Sequence, residues 1–295
     1  LKQGHSVTIL DNFFSGRREN LAGLEKALLV EGDVRDYDLV GRLSEKVDYV
    51  FHLAAVVSVL TSLEEPQTTW EVNLKGTYNI LEAARRAKAK RVVFISSSAV
   101  YGEHPKLPFK ETFPLSPESP YALTKLFGEE LCSLYWRLYK LETVALRLFN
   151  VYGPRQNPFS LYANAIPNFT KHLLTGQTPT IYGDGNQTRD FVYVGDVTRA
   201  AELAARAKKA VGGVFNVGSG KRLSVNKLFG EIQSILGTSA KPQFSPRKQG
   251  DVLHTWADMT RAKKILGCKP KANFSKALKE TVLWFKDSGI FSQKQ

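Results

Sequence analysis

The chain has 295 residues, 43% hydrophobic and 23% charged, which is the composition of a globular protein with one large or two moderate domains. It shows no low-complexity segment, no internal repeat, no apolar run of about 18 residues that would mark a membrane span, and no opening that reads as a secretory leader. The formal net charge of +13 is scattered, as in EAARRAKAKR (82–91), the solvated end of a helix, so the expected partner is a phosphate-bearing metabolite rather than nucleic acid. Cys132 and Cys268 stand alone without metal-ligand spacing, so neither a disulfide framework nor a metal site is expected, and a reducing cytoplasm is.

Strand-like apolar runs recur at SVTIL (6–10), ALLV (27–30), DYVFHLAA (48–55), RVVFISS (91–97) and ETVALRLF (142–149), with helical patterns over 68–88 and 120–139. Strands alternating with helices predict βαβ units and an α/β fold built on a doubly wound parallel sheet. The nearly continuous apolar character of these strands suits a sheet covered on both faces. After residue 150 the loop NVYGPRQNPFS changes the character of the chain. Helices near 196–207, 224–236 and 275–287, and strands near 178–182 and 214–217, predict a second, smaller α/β lobe. The expected division is 1–150 and 151–295. The sequence opens without Met on LKQGHSVTIL, read as a helix end running into a strand. A Gly-rich phosphate loop would precede the strand-end acid by roughly 20 residues. The first strand, that loop and most of the first helix are therefore expected to be missing, with weakened cofactor binding as the consequence.

Asp11 ends the first strand. In a dinucleotide-binding fold an acid there bonds the adenine-ribose hydroxyls and repels a 2′-phosphate, which favours NAD over NADP; the plain alternative is an Asp entering a turn. Asp33 and Val34 follow the next strand, where an adenine would lie. In FHLAA, Ala54 and Ala55 are small enough for close backbone approach, and His52 reads as a core histidine. FISSSAVYG puts Ser97 or Ser98 at a strand's carboxyl end; serines there also serve as turn or cap residues. In SPYALTK, Tyr121 and Lys125 are four apart, on one helical face. The ammonium would favour the phenolate and lower the Tyr121 pKa, giving an acid or base at neutral pH. Each signal is weak alone; their conjunction in chain order is not.

Together the motifs ILDNFFSG, EGDVRD, FHLAA, VNLKGTYNILEAA, FISSSAVYG, SPYALTK, LRLFNVYGPRQ, GDGNQTRDFVYVGDV, FNVGSG and QGDVLHTWADMTRAKKILG resemble the extended short-chain dehydrogenase/reductases, in particular the UDP-glucose 4-epimerase group. The resemblance runs over essentially the whole chain and implies a Rossmann-like domain that binds NAD. It implies that Asp11, Asn12, Ser15 and Gly16 hold the adenosine ribose, Asp33 and Val34 flank the adenine, and Leu53 and Ala54 line the cleft. Asn73 would support the active-site strand, and Phe149 would pack near the nicotinamide. Ser97, Tyr121 and Lys125 would be catalytic, Lys125 also binding the nicotinamide ribose. Asn150, Asn164, Arg189, Lys248 and Asp251 would contact the UDP moiety, Lys248 standing where the family usually has Arg, with Arg247 beside it. A small residue at Thr255 would leave room for a 2-N-acetyl group.

The implied reaction is 4-epimerisation of a UDP-hexose through a 4-keto sugar. The segment after Ser97 carries no acid, unlike sugar 4,6-dehydratases and UDP-glucuronate decarboxylases. A UDP-glucuronate 4-epimerase and a non-catalytic nucleotide-binding relative are the alternatives. By analogy a homodimer is expected, paired through the helices near 68–88 and 120–139.

Overall fold

The computed structural model describes residues 1–159, 165–247 and 252–291. The chain divides into two compact units, interleaved along the sequence. The first comprises Leu1–Val100, Pro117–Leu146 and Ala204–Val214; the second comprises Tyr101–Ser116, Arg147–Leu203 and Phe215–Gln295.

In the first unit, strands β1 (Thr8–Asp11) and β2 (Leu28–Glu31) pair in parallel, Asp11 opposite Glu31. Helix α1 (Tyr37–Ser44) leads to β3 (Tyr49–His52); its N-cap, Asp36, accepts from Leu39 N at 3.0 Å. Helices α2 (Val59–Glu64) and α3 (Pro66–Trp70), a π-helical turn (Glu71–Lys75) and α4 (Gly76–Arg86) then lead to β4 (Arg91–Ser97). Helix α5 (Pro120–Tyr139) follows, and β5 (Glu142–Leu148) after it. Strands β3 and β4 pair in parallel, and the four-stranded sheet runs β10-β5-β4-β3, where β10 is Val214–Val217. The α/β alternation read from the sequence is thus the architecture observed. The core gathers Val40, Leu81, Val92, Phe94, Cys132, Leu141 and Ala145, with Leu10 and Val50 packed against it.

One expectation is corrected here. The strand predicted to reach residue 55 stops at His52, because Val56 gives its N–H to Asn73 Oδ1 at 2.7 Å and takes Asn73 Nδ2 at 3.0 Å on its carbonyl. The helix expected over 68–88 is present as a continuous helical backbone over 66–86, with a π-helical turn in its middle that carries Asn73.

The second unit is built from short strands and helices. Strand β6 (Asn150–Tyr152) pairs with β9 (Phe191–Tyr193), and β7 (Thr180–Tyr182) with β12 (Gln243–Ser245), both in parallel. Strands β8 (Thr188–Arg189) and β11 (Leu223–Ser224) pair antiparallel. Ile166, Phe169, Ile181, Phe191, Leu228, Ile232, Leu278 and Val282 form its core. Helices α6 (Ala165–Leu174), α8 (Val225–Leu236) and α9 (Phe274–Asp287) contribute to that core, while α7 (Val194–Arg206) runs on from β9.

The approach of α5 to β4 depends on one glycine. A Cβ on Gly128 would stand 2.3 Å from Phe94 Cζ, whereas one on Gly230, inside α8, would meet nothing within 4 Å. Gly128→Ala is therefore expected to cost about 1–3 kcal/mol through overpacking. Gly230→Ala should gain about 0.5–1 kcal/mol by helix propensity. Urea unfolding of both variants checks this; a Gly128→Ala midpoint equal to the unaltered protein's contradicts it.

Candidate active site

Helix α5 begins sharply. Ser119 caps it, accepting from Ala122 N at 3.1 Å, and Pro120 occupies its first turn. Tyr121 and Lys125 therefore sit in the opening turns, on the face packed toward β4. Tyr121 is 9% and Lys125 4% exposed. Ser97 closes β4 and shares a hydrogen bond with the Tyr121 phenol, while its Oγ accepts from Ala99 N at 3.2 Å. Of the two serines left open by the sequence, Ser97 is thus the one at Tyr121. Lys125 Nζ donates to Ile95 O at 2.8 Å and lies 6.0 Å from the Tyr121 ring centre.

Electrostatics here differ from the sequence expectation. Burial pushes the Tyr121 phenol above its ordinary value, with the Ser97 hydrogen bond acting the other way. Burial also pulls Lys125 down to about 8, against the opposing pull of Glu129. Lowering of Tyr121 by Lys125 is not seen, because the ammonium is turned to the Ile95 carbonyl.

A buried polar network supports this turn of α5. Asn73, 3% exposed, donates to Thr124 Oγ1 at 3.0 Å as well as to Val56 O. Thr124 Oγ1 in turn donates to Tyr121 O at 2.8 Å. Asn73 thus ties the loop after β3 to the helix carrying Tyr121. His52 is buried, as the sequence suggested, with Nε2 at 2.9 Å from Thr77 Oγ1. Thr77 spends its hydroxyl proton on Asn73 O, so His52 Nε2 is the donor of that pair.

Also in the first unit, Asp11 Oδ1 accepts from Phe13 N at 2.8 Å. A Cβ on Gly16 would fall 3.0 Å from Asp11 Oδ2, so only glycine leaves that carboxylate edge open. An acceptor edge kept clear at a strand end fits the ribose of a dinucleotide. Asn12 Nδ2 reaches Asp33 Oδ2 at 2.9 Å, and Arg35 grips the same carboxylate at 2.9 and 3.0 Å. Arg35 holds Asp33 down to about 2. Val34 is buried against Gly76, where a Cβ would stand 2.6 Å from Val34 Cγ2. Leu53 is exposed, Ala54 half-buried and Ser15 exposed.

The second unit gathers a separate group. Asn150 N donates to Asp190 O at 3.0 Å, and Asn150 Oδ1 accepts from Thr255 Oγ1 at 3.4 Å. Arg189 is half-buried, its NH1 donating to Thr188 O and Leu253 O, each at 3.0 Å. Thr255 is buried, its N–H on Thr188 O at 3.0 Å. Phe149 is buried too, its ring 6.2 Å from Phe109. Asn164, Lys248 and Asp251 lie outside the described residues.

Two acids that the sequence reading passed over organise these groups. Asp190 is fully buried and accepts from Ser219 N and Oγ, Gly220 N and Ala257 N, at 2.6–3.1 Å. It thereby fixes the Gly218–Gly220 turn and the segment after Thr255. Its signal lay in plain sight, directly after Arg189. Glu129, 4% exposed, accepts from Ser96 Oγ. It stands four residues beyond Lys125 in the spacing that singled out Tyr121.

A parallel α/β sheet with a strand-end acid, and a Ser–Tyr–Lys group where β4 meets α5, define a dinucleotide-using α/β enzyme of the short-chain dehydrogenase/reductase type. The chain belongs to the NAD dependent epimerase/dehydratase family, whose pattern matches residues 1–218. It is 40% identical over 292 residues to a UDP-glucose 4-epimerase of Mycolicibacterium smegmatis, covering 97% of this chain and 93% of that one. Among solved structures it resembles a UDP-glucose 4-epimerase of Thermotoga maritima with UDP-glucose, at 37% identity and a TM-score of 0.93, covering 97% and 93% of the two chains. It also resembles a UDP-N-acetylglucosamine 4-epimerase of Methanobrevibacter ruminantium in complex with UDP-N-acetylmuramic acid, at 39% identity and a TM-score of 0.92, covering 96% and 91%.

His52 gives this region a pH signature. Burial first, and the Lys125 charge second, lower it from 6.5 to about 3. Below about pH 6.5 the unfolded chain binds a proton that the folded chain refuses, so stability falls as pH falls. Between pH 7 and pH 5 the loss is roughly 2 kcal/mol. His52→Gln should lose less over the same interval, as read from urea midpoints at the two pH values; equal losses contradict the assignment.

Proposed function

We propose that this protein is a UDP-sugar 4-epimerase, acting on UDP-glucose/UDP-galactose and on UDP-GlcNAc/UDP-GalNAc. The observation that carries the reading is the group Ser97–Tyr121–Lys125, its tyrosine and lysine buried and its serine half-buried, in a chain of this family, with Ser98 and Ala99, not an acid, following Ser97.

Tyr121 takes the proton of the sugar 4-hydroxyl as that hydroxyl becomes a carbonyl, and returns it to the same oxygen once the sugar has turned and hydride has come back to the opposite face of C4. Ser97, already hydrogen-bonded to the phenol, holds the hydroxyl in line for that transfer. Burial opposes ionisation of Tyr121, so the Lys125 charge must be brought to bear on the phenolate during turnover. Bound NAD supplies the acceptor, and then the donor, of the C4 hydride. Asp11, with its edge kept open by Gly16, would hold the adenosine ribose together with Asn12 and Ser15. Asp33 and Val34 would flank the adenine, Leu53 and Ala54 would line the cleft, and Asn73 would brace it. Lys125 and Phe149 would face the nicotinamide end. Asn150 and Arg189, with Asn164, Lys248 and Asp251, would grip the UDP group; the Arg189 guanidinium suits a diphosphate. Thr255 is small and buried beside Asn150, which supports room for a 2-N-acetyl group. Cys132 and Cys268 are both free and buried, which supports a reducing cytoplasm as the place of action.

We also propose a homodimer through α3, α4 and α5. Trp70, Tyr78, Phe127, Leu134, Leu138 and Tyr139 expose 37–61% of their surface there, and Trp70 meets Phe127 edge-on at 5.6 Å. Sedimentation velocity should find a dimer that Leu138→Glu turns into monomer; a monomeric unaltered protein contradicts this.

The activity is read by NMR of the anomeric protons after incubation with UDP-glucose or UDP-GlcNAc and NAD. The galacto epimer should appear, and Tyr121→Phe should lower turnover by about 10²-fold or more, the scale of losing a positioned acid–base group. No epimer from either sugar overturns the reading, and full turnover by Tyr121→Phe overturns the role of Tyr121.

A further inference from the structure

We infer that Glu129 is a positioning residue of this site: its buried carboxylate is the counter-charge that keeps Lys125 protonated, and so lets Tyr121 ionise. The inference rests on the proposal that Tyr121 and Lys125 carry the proton chemistry.

Tyr121, Lys125 and Glu129 follow one another at four-residue steps along α5, and all three are buried, Lys125 and Glu129 each at 4% exposure. An ammonium removed from water needs an anion nearby or it gives up its proton. The other groups around Lys125 do not provide one. On β3, His52 is neutral, since burial holds it at about 3. On β4, Lys125 meets the Ile95 carbonyl and, at 5.2 Å, the Phe94 ring. On α5 itself, burial keeps the Tyr121 phenol and the Cys132 thiol protonated. On the α4 side, Asn73 and Thr77 carry no charge, and Glu82 is committed to Arg85 and Arg86. Glu129 is the acid whose field acts on Lys125, opposing the effect of burial.

Glu129 is itself held in place. Ser96 Oγ donates to it, and Ser96 is the residue directly before Ser97. One end of β4 thus fixes both the hydroxyl that meets Tyr121 and the carboxylate that charges Lys125. The carboxylate is four residues from the ammonium and eight from the phenol along the helix. The arrangement favours the lysine charge without opposing the phenolate to the same degree.

The test reads Lys125 directly in the full-length protein. Lysines labelled with ¹³C at Cε are titrated by NMR, and Lys125 is assigned by its loss in Lys125→Arg. The midpoint should lie near 8 in the unaltered protein. In Glu129→Gln, which keeps the size and the Ser96 contact, it should fall by about one unit, a roughly tenfold loss of the charged form at a fixed pH above the midpoint. Glu129→Asp should restore most of it. The alkaline limb of kcat should move acidward by the same amount, with KM unchanged. An unmoved Lys125 midpoint in Glu129→Gln overturns the inference, even if the variant is less stable. Should Glu129→Gln fail to fold, Glu129→Ala is titrated in its place, and an unmoved Lys125 midpoint there overturns the inference. The Lys125 titration needs no substrate, so failure of the epimerase reading would leave a separate mark.

Discussion

Everything proposed for this protein depends on how closely α5 lies against β4. Gly128 permits that approach by leaving room for the Phe94 ring. Once the helix is seated, its first three turns stand against the last residues of the strand. Lys125 then reaches the Ile95 carbonyl, Tyr121 reaches Ser97, and Glu129 reaches Ser96. Three contacts between the same two elements set the positions of the Tyr121 phenol, the Lys125 ammonium and the Glu129 carboxylate. A shift of α5 by a fraction of a turn would break all three together.

The same packing explains the charge state of the site. Removing Tyr121 and Lys125 from water disfavours the ionised form of each, so the site must recover that cost through neighbours. Hydrogen bonds from uncharged groups, such as the Asn73–Thr124–Tyr121 chain, fix geometry without adding charge. Glu129 is the acid whose charge opposes the effect of burial on Lys125, and Ser96 holds it in place. His52 remains neutral behind the lysine, where a second cation would have displaced the first.

Much of this was legible in the sequence, for identifiable reasons. Long apolar strands and a 20-residue helix leave strong patterns, so β4, β5 and α5 could be placed from residue order alone. Tyr121 and Lys125 could be paired because helical spacing is a local property. The residue pattern alone leaves Ser97 and Ser98 open, because both occupy the same strand end; the family resemblance selects Ser97, and the coordinates place it at Tyr121. The strands of the second unit, two or three residues long, are too short for any periodicity to register. The π-helical turn inside the helix over 68–88 leaves no mark in the residue pattern, because it goes with Asn73 turning inward to serve backbone groups of Val56, a long-range demand. Asp190 and Glu129 were passed over because a buried acid and an exposed one look alike in a sequence. The direction of the Tyr121 shift was misread for a related reason: spacing shows that an ammonium is near, but not that it is turned toward a carbonyl.

In the proposed reaction Tyr121 handles the proton of O4, while the hydrogen on C4 leaves and returns to the opposite face within a single site. The most direct test uses UDP-glucose carrying deuterium at C4, converted in ordinary water with NAD present, and the product's C4 examined by NMR and mass spectrometry. Full retention of deuterium at the inverted C4, with no accumulation of free 4-keto sugar, is the predicted result. Replacement of that deuterium by solvent hydrogen, or inversion at a carbon other than C4, would contradict it.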